Sequence, residues 1–285
     1  MQLKNYKATF LKELSALYDE KEIESFFYLI LENFHCKKRI DLALNPELEM
    51  EAGQLLRWES VLVELKKHKP IQYILGETEF YGLSFLVNEN VLIPRPETEE
   101  LVQLILSENR ITESANPLKI LDIGTGSGCI PIALKKNLPN AELYAIDVSE
   151  KALATAKKNA EFNKVEVHFL LKNILETEDL GQQFDIFISN PPYVRNLEKA
   201  EINPNVLEFE PHLALFVDDN DALLFYRKIT ALAKKNLNQN GQLYFEINQY
   251  LGTETVGLVE SYGFKNVKLI KDIYGNDRMI SARYS

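Results

Sequence analysis

From Leu118 onward the chain alternates between short apolar runs and segments of helical period, and that alternation restricts its fold more than any other feature. Residues 119–123, 142–146, 166–171, 184–189 and 243–247 read as buried strands, with Asn240-Gly241 as a turn into the last of them. Residues 130–137, 150–163, 221–237 and 252–262 read as helices. Strands that alternate with helices build a mostly parallel sheet covered on both faces. Two more strands, 265–271 and 278–284, are joined only by residues 272–277. A parallel crossover needs roughly a dozen residues, so this last pair is expected as an antiparallel hairpin. The expectation is an α/β domain with a mostly parallel seven-stranded sheet and a C-terminal antiparallel hairpin.

The first quarter has a different period. Leu3, Tyr6, Phe10, Leu14 and Leu17 recur at three- and four-residue steps, and so do Ile23, Phe26, Phe27, Ile30, Leu31 and Phe34. Each set makes one apolar helix face. Further helices are expected at 40–44, 46–53 and 54–67, giving a small bundle that Pro70 closes. Residues 78–93 read as a β-hairpin: 78–81, 83–87, a polar turn at 88–90, then 91–93. Pro96 suits a first helical position, and Glu97, Glu99 and Glu100 favour the positive end of that helix. Helix initiation gives Arg95 no task, so it is a candidate pocket residue. The expected domains are a helical bundle (1–75), a connecting β-hairpin (76–94) and the α/β domain (95–285).

Charge and composition exclude several classes. The 285 residues carry a formal net charge of −10, which gives no general attraction to nucleic acid or anionic lipid. The basic clusters Lys37-Lys38-Arg39 and Lys66-Lys67-His68-Lys69 read as solvated helix ends. Two distant cysteines and four scattered histidines indicate neither a disulfide framework nor a metal site. No signal-peptide core and no apolar run of about 20 residues stands in the sequence. The expectation is a cytoplasmic, monomeric protein that engages no membrane.

Two loops carry the chemistry. The first is Asp122-Ile123-Gly124-Thr125-Gly126-Ser127-Gly128, after the strand 119–123. Glycines at alternate positions let the backbone turn tightly and approach a ligand, and the following helix points free N–H groups at the same crevice. Asp147 follows Gly124 by about 20 positions, at the end of the next strand, where a carboxylate accepts from both ribose hydroxyls. The spacing is not that of a dinucleotide site, and no Gly-Lys-Ser/Thr follows. The second loop, Asn190-Pro191-Pro192-Tyr193, ends the strand 184–189. Two prolines cannot continue a ladder, so the loop is stiff and holds an amide, bare carbonyls and an aromatic ring. An amide oxygen and a carbonyl accept both N–H bonds of an NH2 group, and Tyr193 can stack on a planar acceptor. Both loops end strands of one sheet, so S-adenosylmethionine fits as methyl donor to a planar nitrogen.

These loops resemble the amino-group methyltransferases that use S-adenosylmethionine, which act on adenine or on protein glutamine. Pro70-Ile71-Gln72-Tyr73-Ile74-Leu75-Gly76, Phe80-Tyr81-Gly82, Ile93-Pro94-Arg95-Pro96-Glu97-Thr98-Glu99, Glu208-Phe209-Glu210-Pro211 and Tyr274-Gly275-Asn276-Asp277-Arg278 are similar to the release-factor glutamine methyltransferases. The resemblance implies a Rossmann-like class I methyltransferase fold and N5-methylation of the glutamine in the Gly-Gly-Gln loop of class-1 peptide-chain release factors. It implies that Asp122, Gly124, Thr125, Gly126, Ser127, Gly128 and Asp147 hold the cofactor, and Asn190, Pro191, Pro192 and Tyr193 the amide, with Asn190 also facing the cofactor. Where the family often has an acidic and then an aromatic residue near the adenine, Asn173 and Ile174 stand here. Asn173 can bond the adenine amino group and Ile174 can pack on the ring. In this family the helical domain and hairpin help to dock the release factor. Two alternatives use the same loops: N6-adenine methylation of nucleic acid, which the net charge opposes, and a non-catalytic cofactor-binding module.

Overall fold

Leu3, Tyr6, Phe10 and Leu14 line one face of the first helix, α1 (Leu3–Leu14), and all four are buried. Helix α2 (Glu20–His35) buries Ile23, Phe27, Ile30 and Leu31, and the Asp19 side chain caps it by accepting from the Glu22 N–H. Cys36 ends α2 in the left-handed region, φ 51°. Helices α3 (Arg39–Leu44), α4 (Ala52–Leu65) and α5 (Ile71–Leu75) follow. The helix expected at 46–53 does not form. Leu48 O accepts from Leu3 N and Met50 N donates to Met1 O, so pairing with the first residues satisfies that backbone instead. α4 starts at Ala52, where Glu51 N donates to Gln54 Oε1.

The structure is a computed structural model that describes residues 1–109 and 117–285. One compact unit comprises Met1–Gly76 with Pro204–Phe209, and a second comprises Glu77–Asn203 with Glu210–Ser285. Four lysines of the basic clusters in the first unit are paired with acids: Lys66 with Glu13, Lys67 and Lys69 with Glu64, and Lys38 with Glu32.

The first unit is built around Trp58, which is fully buried. Tyr6, Phe10 and Phe34 meet its ring edge-on, and Phe27 lies 4.9 Å away between centroids. Its indole N–H donates to His35 Nε2 at 2.9 Å, so the imidazole must be neutral at that nitrogen. Burial, with help from Arg57, lowers the His35 pKa. A depressed value means that the unfolded chain takes the proton first. The stability from this contact is therefore present above the unfolded pKa of about 6.5 and is lost as pH falls through the folded value. Trp58 is the single tryptophan, so its fluorescence reports this unit. Denaturant midpoints read from it should fall between pH 7.5 and 5.5, and fall less in His35→Gln. Equal pH dependence in both proteins would remove His35 as the cause.

In the second unit the described strands form a seven-stranded sheet. Its members are β3 (Lys119–Ile123), β4 (Glu142–Asp147), β5 (His168–Leu171), β6 (Phe184–Ser189), β9 (Leu237–Glu246), β10 (Lys265–Lys271) and β11 (Asp277–Arg283), in the order β10-β11-β9-β6-β3-β4-β5. β9, β6, β3, β4 and β5 run parallel, and β11 is antiparallel to both β9 and β10. Helices α6 (Pro96–Asn109), α7 (Cys129–Asn137), α8 (Glu150–Phe162), α11 (Leu224–Asn236) and α12 (Gly252–Ser261) accompany the sheet. Ile120, Ile186 and Ile188 belong to one core cluster, and Leu121, Ile123 and Phe187 to another. Neighbouring residues of β3 and β6 thus enter different cores, as a strand buried on both faces requires.

Some local expectations change. Asn240-Gly241 does not precede β9 but lies within it, as a bulge. Phe184 pairs with Leu237 and Ile186 with Gln242, so β9 gains extra residues there. A Cβ on Gly241 would meet Asn238 O at 2.9 Å and Asp185 O at 3.1 Å, so only glycine lets the backbones approach. Strands β1 (Glu77–Phe80) and β2 (Leu83–Leu86) close at Tyr81-Gly82, both with positive φ. Residues 91–93 form no strand, because Asn88 turns the chain by accepting from Asn90 N and Val91 N. The hairpin is bonded to α8: Asn159 accepts from Leu86 N at 2.7 Å and donates to Leu86 O. Short elements not expected from the sequence follow β6, namely β7 (Val194–Arg195), α9 (Pro204–Phe209), α10 (His212–Leu215) and β8 (Phe216–Val217). Among the described residues no helix is long and apolar enough to cross a membrane, and no group of three or more His, Cys, Asp or Glu could hold a metal ion.

Candidate active site

A cleft of about 270 Å³ opens at the carboxyl ends of β3, β4 and β6, where the strand order reverses and open α/β sheets bind ligands. Gly124 N and Thr125 N both donate to Ile146 O, which ties the glycine loop to β4. Gly124, Gly126 and Gly128 have φ of 76°, 55° and 80°, a region that costs other residues about 1–2 kcal/mol. Their surroundings differ. A Cβ on Gly124 or Gly126 would touch nothing within 4 Å, while one on Gly128 would meet Ala156 Cβ and Ile132 Cδ1 at 3.1 Å. The first two glycines, with Thr125 and Ser127, line the cleft. Gly128, expected to hold cofactor, instead lets α7 pack against α8.

Asp147 stands on the facing wall. Gly126 N donates to its Oδ2 and Ser149 N to its Oδ1, each at 2.9 Å. These bonds aim the carboxylate and leave a lone pair on each oxygen. Burial raises its pKa, against the backbone donors Ser149, Gly126 and Val148. Asp122, also expected to hold cofactor, is fully buried and does not reach the cleft surface. Thr125 Oγ1 lies beside its carboxyl and, like both carboxyl oxygens, is sealed from the surface. Burial pushes Asp122 up to about 7, although the nearby Thr125 hydroxyl opposes the rise. Asn173 and Ile174 line the cleft. Asn173 Oδ1 accepts from Leu175 N at 3.0 Å and keeps a second lone pair, so both ends of the amide can serve a ligand.

Asn190, Pro191 and Pro192 line the cleft beside the glycine loop. Asn190 Nδ2 donates to Thr98 Oγ1 at 3.2 Å, and Thr98 Oγ1 donates to Glu246 Oε2 at 2.6 Å. The half-buried Tyr193 ring packs against the core and does not line the cleft. Its hydroxyl donates to Glu246 Oε1 at 3.1 Å, and its carbonyl accepts from Asn248 Nδ2. Glu246 ends β9 almost fully buried. Burial raises its pKa, while Thr98, Arg278 and Tyr193 oppose the rise. Arg95 lines the cleft, but its guanidinium is ion-paired with buried Glu210 at 2.5 Å. Glu210 also accepts from Ile93 N, so the pair fastens residues 93–95 to the segment that brings Pro211, Leu213 and Ala214 to the cleft.

Thr98 and Pro211 stand within the motifs quoted above, but nothing in the sequence gives Thr98, Glu246 or the wall at 211–214 a role in the site. Glu246 left one signal, an acidic residue ending the apolar run Leu243-Tyr244-Phe245, beyond which an α/β sheet places its ligands.

The family model described as PrmC N-terminal domain matches residues 8–76, and the Methyltransferase small domain matches 102–208. The chain is 68% identical over 284 residues to the release factor glutamine methyltransferase of Flavobacterium psychrophilum, covering 100% of both proteins. The chain belongs to the release factor glutamine methyltransferase family. A second member, from Bacteroides thetaiotaomicron, is 43% identical and covers 95% of this chain and 96% of its own length. Among solved structures, the hMettl16 catalytic domain aligns with a TM-score of 0.53 at 17% identity, over 84% of this chain and 83% of that one. The T. thermophilus 16S rRNA N2 G1207 methyltransferase aligns at 0.52 and 17% identity, over 73% of this chain and 50% of that one. Both show the same fold. This member of the family is a methyltransferase with the Rossmann-like class I fold, a mostly parallel sheet with antiparallel C-terminal strands.

Proposed function

We propose that this enzyme methylates the side-chain nitrogen, N5, of the glutamine in the Gly-Gly-Gln loop of class-1 peptide-chain release factors, with S-adenosylmethionine as donor. The observation that carries the reading is Asn190 at the wall of the cleft that the glycine loop and Asp147 also line. Name and substrate of the 68% identical relative support it.

The cleft fits the cofactor. Gly124 and Gly126 leave open space where side chains would otherwise stand. The Asp147 carboxylate, aimed by Gly126 N and Ser149 N, keeps a lone pair on each oxygen for hydroxyl donors. In this reading the Asp147 carboxylate holds the ribose hydroxyls, the Asn173 side chain the adenine amino group, and Ile174 the adenine face. When bound, S-adenosylmethionine supplies an electrophilic methyl group.

The remaining work falls to the chain. An amide nitrogen is a poor nucleophile because its lone pair is delocalised. Asn190 Oδ1 and a proline carbonyl of the loop accept both N–H bonds of the glutamine. Their hold strengthens as positive charge develops on the attacking nitrogen, so it favours the transition state over the ground state. The stiff Pro191-Pro192 backbone keeps those acceptors in place. No general base is required before attack; the spare proton leaves afterwards. In the same reading residues 1–75 dock the release factor, 76–94 connect, and 95–285 carry out the transfer in the cytoplasm.

Labelled S-adenosylmethionine tests the reading, offered with a release factor, with that factor carrying alanine for the loop glutamine, and with DNA. Label on the first alone is expected. Label on DNA, or on both proteins equally, overturns it.

A further inference from the structure

Asn190 can present either end of its amide to the cleft, and only one end is useful. Its oxygen accepts from an NH2 group; its own NH2 would oppose one. Rotating the amide by half a turn changes little in shape, so something must choose.

Glu246 makes the choice from beneath. Both of its oxygens accept hydrogens, Oε2 from Thr98 Oγ1 at 2.6 Å and Oε1 from the Tyr193 hydroxyl at 3.1 Å. A hydroxyl has one hydrogen, and Glu246 takes the one on Thr98. Toward Asn190 the Thr98 oxygen therefore offers only lone pairs. Asn190 must turn its NH2 to Thr98, which it does at 3.2 Å, leaving Oδ1 for the acceptor. We propose that Thr98 and Glu246 are positioning residues that fix the orientation of the Asn190 amide and so select an NH2-bearing acceptor over a carboxylate. Glutamate in place of glutamine would bring only acceptor atoms to the Asn190 oxygen. The inference rests on the functional reading above for the identity of the acceptor, but not for the polarity of the relay. All three side chains come from separate elements: Thr98 from α6, Glu246 from the end of β9 and Asn190 from the loop after β6. The relay thus exists only in the assembled sheet.

Thr98→Val keeps shape and removes the hydroxyl; Thr98→Ser keeps the hydroxyl. The first should lower kcat about tenfold or more, short of the roughly 10²–10³-fold loss seen when a transition-state hydrogen bond is deleted outright. Cofactor affinity should change little, and Thr98→Ser should recover most of the turnover. On an Asn190→Ala background Thr98→Val should cost nothing further, because Thr98 acts through Asn190. Parent-like kcat in Thr98→Val overturns the relay, and so does an equal loss on the Asn190→Ala background, which marks general damage. Should the parent enzyme label no release factor, the functional reading fails and the relay is decided by NMR of the free protein. The side-chain NH2 signals of Asn190, assigned by their loss in Asn190→Ala, should move in Thr98→Val and stay near the parent positions in Thr98→Ser. Unmoved signals in Thr98→Val overturn it.

Discussion

Asn190→Ala should lower turnover about 10²-fold or more while S-adenosylmethionine binds almost as before. The figure is that for removing one preorganised hydrogen-bond partner of developing charge. The structure explains the separation of the two effects. The bonds described for Asn190 run to Thr98 and not to the glycine loop, whereas the loop is held by Ile146 and Asp147. Truncating Asn190 thus leaves the cofactor wall standing and empties the acceptor wall. Single-turnover rates with saturating cofactor, alongside a calorimetric Kd, measure both. Near-parent rates would remove Asn190 from the chemistry. A Kd that rises as far as the rate falls would move it to the cofactor.

Asp147→Ala should produce the opposite pattern, with cofactor affinity falling about 10²-fold. Two ribose hydroxyls on one carboxylate are hydrogen bonds to a charged group, each worth roughly 1.5–3 kcal/mol. The same substitution strips Gly126 N and Ser149 N of their partner, so the loop also loses its anchor. Asp147→Asn keeps an acceptor for one of those N–H groups and should lose less. Acid should act in the same direction. Burial holds the Asp147 pKa above its ordinary value, and hydroxyl donors favour the ionised form. Affinity should therefore weaken as pH falls through that raised value. Unchanged affinity in Asp147→Ala would take this residue out of the site.

The sheet was legible because strands buried on both faces must be apolar and the helices between them must repeat at 3.6 residues. The glycine loop, Asp147 and Asn190 were legible because each stands where a strand ends. What the sequence hid is what depends on distance in space. Thr98 and Glu246 are far apart in the chain and meet only because α6 and β9 lie in one unit. Tyr193 is a similar case: a tyrosine after two prolines reads as a stacking surface, and only the fold shows its hydroxyl on Glu246. Gly128 reads like its neighbours, since sequence cannot distinguish a glycine beside open space from one that faces Ala156. Helix 46–53 failed where a non-local partner, the segment at Leu3, competed for the backbone.

The order of strands has a consequence for synthesis. β11 comes last of the described strands, yet it lies inside the sheet between β10 and β9. Met279 of β11 pairs with Glu246 of β9. A nascent chain that has already displayed its glycine loop and Asn190 still has β9 as an open edge. The carboxylate that orders the acceptor wall gains its neighbour only when residues 277–283 leave the ribosome. Ligand walls made early in translation therefore wait for β11 before they can act together.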